Sequence, residues 1–295
     1  MNDTAPDAAP DCAPAQPEAK APRSKLPTGS CDAHFHVFGA RERYPLDARR
    51  SYTPHVATLA EHRAVMTACG IDRAVLVQPS VYGTDNSCLL DALRDAASRG
   101  DAYRGIVVPD AAATDEELLA MDALGVRGIR LNVVNPQMLG VDDAIALCRR
   151  MRPRGWHLQV HLMLATDGLA TLAALADRVD VPIVVDHFGR PAAGAALPPL
   201  LLELVASGRV WVKLSAAYRV SAQPGPEHAD IAPLVEALVA ANPERLLWGS
   251  DWPHTELHGA TPHDADLVDL LVSTLPDPAT LRRVCVDNAA SLYRF

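Results

Sequence analysis

The chain has 295 residues, a formal net charge of −9 and 49% apolar content, enough for a large buried core. The acid excess argues against a nucleic-acid surface or an anionic membrane as partner, and no stretch approaches the roughly 18 to 20 continuous apolar residues of a membrane span. Six scattered cysteines without a CxxC pair read as reduced thiols, which points to the cytoplasm.

Residues 1–27 are rich in Ala, Pro and Asp and have neither the basic nor the apolar part of a secretory signal. They are expected to be a disordered tail, leaving residues 28–295 as one domain. Apolar β-type runs then alternate with helix signals. The first strand is expected over Ser30–His36, followed by a polar and aromatic loop containing Tyr44 and Tyr52. Thr58-Leu-Ala-Glu61 is a capping box, in which a hydroxyl and a carboxylate satisfy each other's free amides, and Gly70 suits the end of that helix. The continuously apolar run Arg73–Gln78 fits a strand buried on both faces of a parallel sheet.

A helix over Asn86–Ser98, a strand over Arg104–Val108, and a second capping box at Thr114–Glu117 come next. The fourth strand and helix fall at Val126–Leu131 and Asp142–Met151. The second half repeats the rhythm, with strands over Trp156–His161, Pro182–His187, Val210–Leu214 and Arg245–Asp251. Helices over Asp167–Arg178, Pro198–Ser207, His228–Ala241, His263–Thr274 and Pro278–Leu292 follow these strands. Eight strand signals alternating with helices predict an α/β fold, a single-domain (β/α)8 TIM barrel. An open doubly wound sheet usually carries a Gly-rich phosphate loop after its first strand, and none is present.

In such a barrel the C-terminal ends of the strands converge on one mouth. Within a strand His34 and His36 point to the same side, because side chains alternate with period two. Reading the other strand ends adds His161, His187 and Asp251. A single strand-end histidine is more often structural than a ligand, and Asp251 before Trp252-Pro253 also suits a turn. Four separate strands ending in metal-type ligands are not explained that way.

The residues that carry a family likeness are Asp32-Ala-His34-Phe-His36-Val-Phe38-Gly39, Val77-Gln78-Pro-Ser80-Val-Tyr82-Gly-Thr84-Asp85-Asn86 and Gly125-Val-Arg127-Gly-Ile-Arg130-Leu-Asn132. Further matches are Val185-Asp-His187-Phe-Gly-Arg190-Pro191, Trp248-Gly-Ser-Asp251-Trp-Pro-His254 and Asn288-Ala-Ala-Ser-Leu-Tyr293. Together they resemble the amidohydrolase superfamily, and within it the branch of pyrone-dicarboxylate lactonases. The resemblance implies hydrolysis at a carbonyl centre with Asp251 handling protons. Pyrone-dicarboxylate lactonases work without a metal and carry tyrosine at the end of strand five; this chain has His161 there, which restores a full set of superfamily ligands. Related sulfomuconolactone hydrolases use zinc. The implied cofactor is therefore one divalent ion, Zn²⁺, on His34, His36, His161 and Asp251. The alternative is a metal-free mechanism in which His161 only polarises a carbonyl. His187 is expected to orient the attacking water or polarise the carbonyl oxygen.

Arginine forks bind carboxylates and sulfonates bidentately, so Arg127, Arg130, Arg190 and Arg219 near one mouth suggest an anionic substrate. Arg127 and Arg130 differ by three and cannot both face the interior of a regular strand; Arg130 is nearer the mouth, with Arg219 second. Ser80, Tyr82, Thr84 and Asn86 form a polar loop after strand two, the last two also suited to capping a helix. Tyr52 and His254 are further candidate contacts. His55, His62, His157, His228, His258 and His263 are discounted as surface, helix or wrong-face positions, and Trp156, Trp211 and Trp248 are assigned to packing. The leading function is opening of a small carboxylated or sulfonated lactone. A sugar-acid lactone isomerase, an aromatic-acid decarboxylase and a catalytically silent binding barrel are the rivals. The expected partner is a small-molecule lactone, with no nucleic acid and no membrane; a homo-oligomer is compatible with this reading.

Overall fold

The computed structural model describes residues 9–135 and 139–295. Eight parallel strands run in the order of the sequence around one sheet. They are β1 Cys31–Phe35, β2 Arg73–Val77, β3 Ala102–Val107, β4 Val126–Asn132, β5 His157–His161, β6 Ile183–Val185, β7 Val210–Ser215 and β8 Leu246–Gly249. Each is followed by its helix: α1 Leu59–Cys69, α2 Ser87–Arg99, α3 Asp115–Ala123, α4 Val141–Met151, α5 Gly168–Arg178, α6 Pro199–Ala206, α7 Ala232–Ala241 and α8 Asp264–Thr274. The strands are buried almost throughout because side chains fill the inside and helices cover the outside. This is the expected TIM barrel. Among the described residues no helix is long and apolar enough to cross a membrane.

Local chemistry explains where the elements begin and end. Both capping boxes form, Thr58 with Glu61 and Thr114 with Glu117, and Gly70 ends α1 in the left-handed conformation at φ 69°. The last helical run, Pro278–Tyr293, is continuous but carries a π-helical segment, Arg283–Asp287, at its centre. β6 and β8 stop two residues short of expectation. β6 was expected to reach His187 and β8 to reach Asp251, but His187, Phe188, Arg190 and Asp251 take left-handed backbone angles (φ 46° to 66°) that leave the sheet ladder. Non-glycine residues rarely adopt that conformation, and it clusters where side chains are re-aimed at function.

The barrel closes between β8 and β1 through the residues that the site uses. Asp251 N–H donates to the His34 carbonyl and His36 N–H to the Trp252 carbonyl, both at 2.8 Å. Gly249 permits that approach: a Cβ there would lie 2.6 Å from His34 Cβ and 2.7 Å from its backbone nitrogen. Backbone cannot yield as a flexible side chain does. Gly249→Ala is therefore expected to cost about 1–3 kcal/mol, the usual penalty of overpacking, measured by urea denaturation; an unchanged midpoint would mean that the seam can widen freely.

Residues 9–27 differ from the expected disordered tail. Cys12 N–H donates to the Thr53 carbonyl (2.9 Å), Thr53 N–H to the Pro10 carbonyl (2.8 Å), and Ala13 N–H to the Leu257 carbonyl (2.6 Å). Gln16 reaches the Thr261 carbonyl, and Arg23 pairs with Asp269 at 3.0 Å. The segment is too poor in large apolar residues to order itself, which is what composition registers. It gains order from backbone hydrogen bonds to two mouth loops, the one after β1 and the one after β8.

Candidate active site

At the mouth, β1 delivers His34, the residue just past its end is His36, and the turn after β8 delivers Asp251. All three are buried, and their ligand-type atoms lie within 4.8 Å of one another. Asp251 Oδ1 is 3.7 Å from His34 Nε2, 3.7 Å from His36 Nε2 and 3.6 Å from His187 Nε2. The two Nε2 atoms of β1 are 3.4 Å apart. The other ring nitrogens are committed elsewhere. His36 Nδ1 donates to the Val77 carbonyl at 2.7 Å, and His187 Nδ1 pairs with Ser215 Oγ at 2.8 Å.

The environment sets the charges. Burial, the largest effect, pushes His34 and His161 well below the ordinary imidazole value, and His36 and His187 down to about 4, so all four rings are neutral at pH 7. Burial alone would raise the Asp251 carboxyl, but His187 and Arg219 beside it hold it well below the usual carboxylate range. Arg219 Nε and the Tyr218 hydroxyl both donate to Oδ2, at 3.2 and 2.7 Å, which leaves Oδ1 turned toward the imidazoles.

The residues fit a metal ion. Because His36 Nδ1 is a donor, its Nε2 is a lone pair, and it faces the Asp251 carboxylate 3.7 Å away. Two acceptors meeting in a buried gap call for a cation. Their spacing is close to the edge of roughly 3.3–3.5 Å that bonds of about 2.0–2.2 Å produce in tetrahedral zinc. A second group with ligand-type atoms within 4.8 Å consists of His34, Asp186 and His187.

Above these groups lies a cleft of about 290 Å³. Tyr52, Ser80, Arg130, His161, Arg219 and Asp251, all anticipated from the sequence, line it together with Asn132, Asn135, Thr255 and Glu256. Arg130 is buried; it donates to the Gln78 carbonyl at 3.0 Å, and its Nη2 is 3.4 Å from Asp186 Oδ2 and 3.3 Å from His161 Nδ1. His161 Nε2 faces Arg190 at 3.3 Å. His161 thus stands between two guanidinium groups and belongs to neither ligand-type group among the described residues. Arg219 is both wall and support, since it also reaches the Thr255 carbonyl and lies 3.6 Å from Glu256.

Four sequence candidates are elsewhere. Arg127 points outward at the start of β4 and binds the carbonyl and carboxylate of Asp122. That is the outcome its three-residue offset from Arg130 required. Tyr82 turns under the loop to accept the Gly39 N–H at 3.1 Å. Thr84 is exposed, and its carbonyl accepts from Asn86. His254 is buried behind Asp251, between the Tyr218 hydroxyl (3.2 Å) and Asp264 (3.3 Å). Strand alternation turns Arg127 away, and for the other three a left-handed or tightly turned loop redirects the side chain from the cleft.

Other partners were missed. Lys213, in the middle of β7, is fully buried with Nζ donating to Gln159 Oε1 at 2.7 Å; burial brings it down to about 8, still cationic at neutral pH. Asp186 is held well below its usual range by His34 and Lys213, although burial opposes this. A lysine inside an otherwise apolar strand was the available signal for both. His62, set aside as a helix position, is also buried. It stacks on Phe35 at 3.6 Å and lies 3.1 Å from Asp32 Oδ2.

Comparison with known proteins agrees with this architecture. Residues 31–295 match the family model described as Amidohydrolase. A 4-sulfomuconolactone hydrolase of Rhizobium radiobacter is 36% identical over 94% of this chain and 96% of its own. A protein of Comamonas testosteroni named 2-pyrone-4,6-dicarboxylate hydrolase is 33% identical over 92% of each chain. An apo crystal structure from Agrobacterium tumefaciens superposes with a TM-score of 0.80 at 27% identity, covering 93% of this chain and 99% of that one. With its barrel, its paired histidines on β1 and its acid after β8, the chain belongs to the amidohydrolase family.

Proposed function

We propose that the protein is a hydrolase that opens the lactone ring of a small carboxylated or sulfonated acid. The observation that carries this is the ionised Asp251, with Oδ1 facing three neutral imidazoles at 3.6–3.7 Å, beneath a cleft walled by guanidinium groups. The relatives named as hydrolases of a sulfonated lactone and of a pyrone dicarboxylate support the same substrate class.

His34, His36 and Asp251 would hold one divalent ion, which we assign as Zn²⁺ on its nitrogen and oxygen donors. When bound, such an ion lowers the pKa of a coordinated water to about 7 and polarises a carbonyl. The chain's own groups do the rest. Asp251 accepts the proton of the attacking water while the new C–O bond forms at the lactone carbonyl. His187, fixed by Ser215, orients that water. As the ring C–O bond breaks, Asp251 returns the proton to the departing oxygen, so the product is a hydroxy or keto acid and Asp251 is again ionised. His161, between Arg130 and Arg190, fits a polarising role better than a ligand role, because an ion beside it would face two cations. The six unpaired, buried cysteines support a reducing compartment, the cytoplasm.

Incubation with dicarboxylate and sulfonated lactones in ¹⁸O-labelled water tests the reaction. Label must enter the product carboxylate; conversion without label would make the protein an isomerase. Arg190 has its guanidinium on His161, which lines the cleft, and is itself partly exposed. Arg190→Met is expected to raise KM for dianionic lactones by about tenfold or more with a smaller change in kcat, since a lost uniform binding contact acts on KM. An equal KM for charged and uncharged lactones would remove Arg190 from recognition.

A further inference from the structure

We propose that the Lys213 ammonium is a built-in cation of this centre, standing where a second metal ion would bind and limiting the site to one ion. This rests on the reading above that His34, His36 and Asp251 hold an ion at the Nε2 side of His34. The two ligand-type groups of the mouth meet at His34. By donor chemistry alone they describe two adjacent ion sites, with the second bounded by Asp186 and His187.

Lys213 bears on the second site. Its Nζ is 3.3 Å from His34 Nδ1 and 3.5 Å from Asp186 Oδ1, and those two atoms are 3.2 Å from each other. The side chain is fully buried, so bulk solvent does not shield the charge. Asp186 Oδ1 receives no well-directed hydrogen bond although it is buried. Its negative charge is balanced instead by the ammonium, an ionic contact of the kind a metal ion would make. A divalent ion bonded to the same two atoms at about 2.0–2.2 Å, with the His34 Nδ1 proton released to solvent so that the ring bridges as an imidazolate, would lie within about 4 Å of Nζ. Like charges that close in a dry interior repel strongly. The ion on the Nε2 side is separated from Lys213 by the imidazole ring.

The anchoring of Lys213 fits a fixed cation. Gln159 Oε1 accepts one of its protons, while the Gln159 amide and Arg130 reach the other oxygen of Asp186, at 3.1 and 3.4 Å. Neither oxygen of Asp186 is therefore open to an incoming ion while Lys213 stays charged. Lys213 is a positioning residue: it holds Asp186 against His34 and touches no substrate.

The test is metal stoichiometry. Wild type, Lys213→Arg, Lys213→Met and Lys213→Gln are stripped with chelator, reloaded with excess Zn²⁺, desalted and analysed for zinc per chain, with circular dichroism and thermal melts to verify folding. Wild type and Lys213→Arg are expected to hold one ion, and the two neutral variants two. Lys213→Gln keeps a hydrogen-bonding end for Gln159 and serves if Lys213→Met does not fold. One ion in a folded neutral variant, or two in wild type, overturns the proposal while leaving the single-ion reading intact. No ion in any of the four proteins overturns the metal reading itself, and this inference with it.

Discussion

Asp251→Asn is expected to lower kcat by about 10³-fold or more while leaving the fold in place. A positioned general base contributes typically about 10²–10⁴-fold, and the function proposed above gives this carboxylate that role in addition to its place in the ligand-type group. Asparagine has the same shape and its carbonyl still accepts from Tyr218 and Arg219, which now support Oδ2. It cannot take up the water proton. Its neutral amide also removes the charge that faces His34, His36 and His187. The expected signature is a fall in kcat and kcat/KM together, with KM little changed, as for an interaction made in the transition state. A variant within about tenfold of wild-type turnover on an anionic lactone would take Asp251 out of the proton path. A bound-zinc measurement on the same sample separates loss of the ion from loss of the base.

The parts of this site that follow chain periodicity were legible in the sequence. The period-two alternation brings His34, in β1, and His36, one residue past its end, to the same side despite a register shift against β2 between Asp32 and Phe35, and strand-end reading picked out His187 and Asp251 beside them. Arg130 was separable from Arg127 by the same alternation. The turn conformations beyond the strand ends were not legible. His187, Arg190, Asp251, His254 and Glu256 all have left-handed backbones, a conformation rare for non-glycine residues that the enrichment of Asp and His announces only weakly. His254 was consequently placed in the cleft when it lies behind it. Lys213 and Asp186 were passed over for a different reason: strand-end reading looks only at the rim, whereas their pairing lies one layer down inside the barrel. The segment 9–27 fell outside composition reasoning because backbone hydrogen bonds to the mouth loops, with a few side-chain contacts such as buried Cys12 and the Arg23–Asp269 pair, order it without a large apolar face.

The layer beneath the rim also carries the largest expected change in stability. Asp32, fully buried at the start of the paired-histidine motif, ties β1 to β8 with both oxygens. Oδ1 accepts the backbone N–H of His34 at 3.0 Å and of Ser250 at 2.9 Å; Oδ2 accepts the Ser250 hydroxyl at 2.6 Å and lies 3.1 Å from His62 Nε2. Asp32→Ala leaves these donors buried without an acceptor. Each orphaned group costs about 1–3 kcal/mol, and breaking a buried charged network by removing one partner costs about 3–5 kcal/mol. A loss of about 3–5 kcal/mol in urea denaturation is therefore expected. Asp32→Asn should lose clearly less, because its carbonyl can still accept both backbone amides and only the Oδ2 side is disrupted. The ordering of the two variants is the sharper test, since it depends on which oxygen does the tying. If Asp32→Ala costs less than about 1 kcal/mol, the closing seam is held by the backbone bonds of Asp251 and His36 alone. In that case the position of His34 relative to Asp251 does not depend on the carboxylate two residues before it.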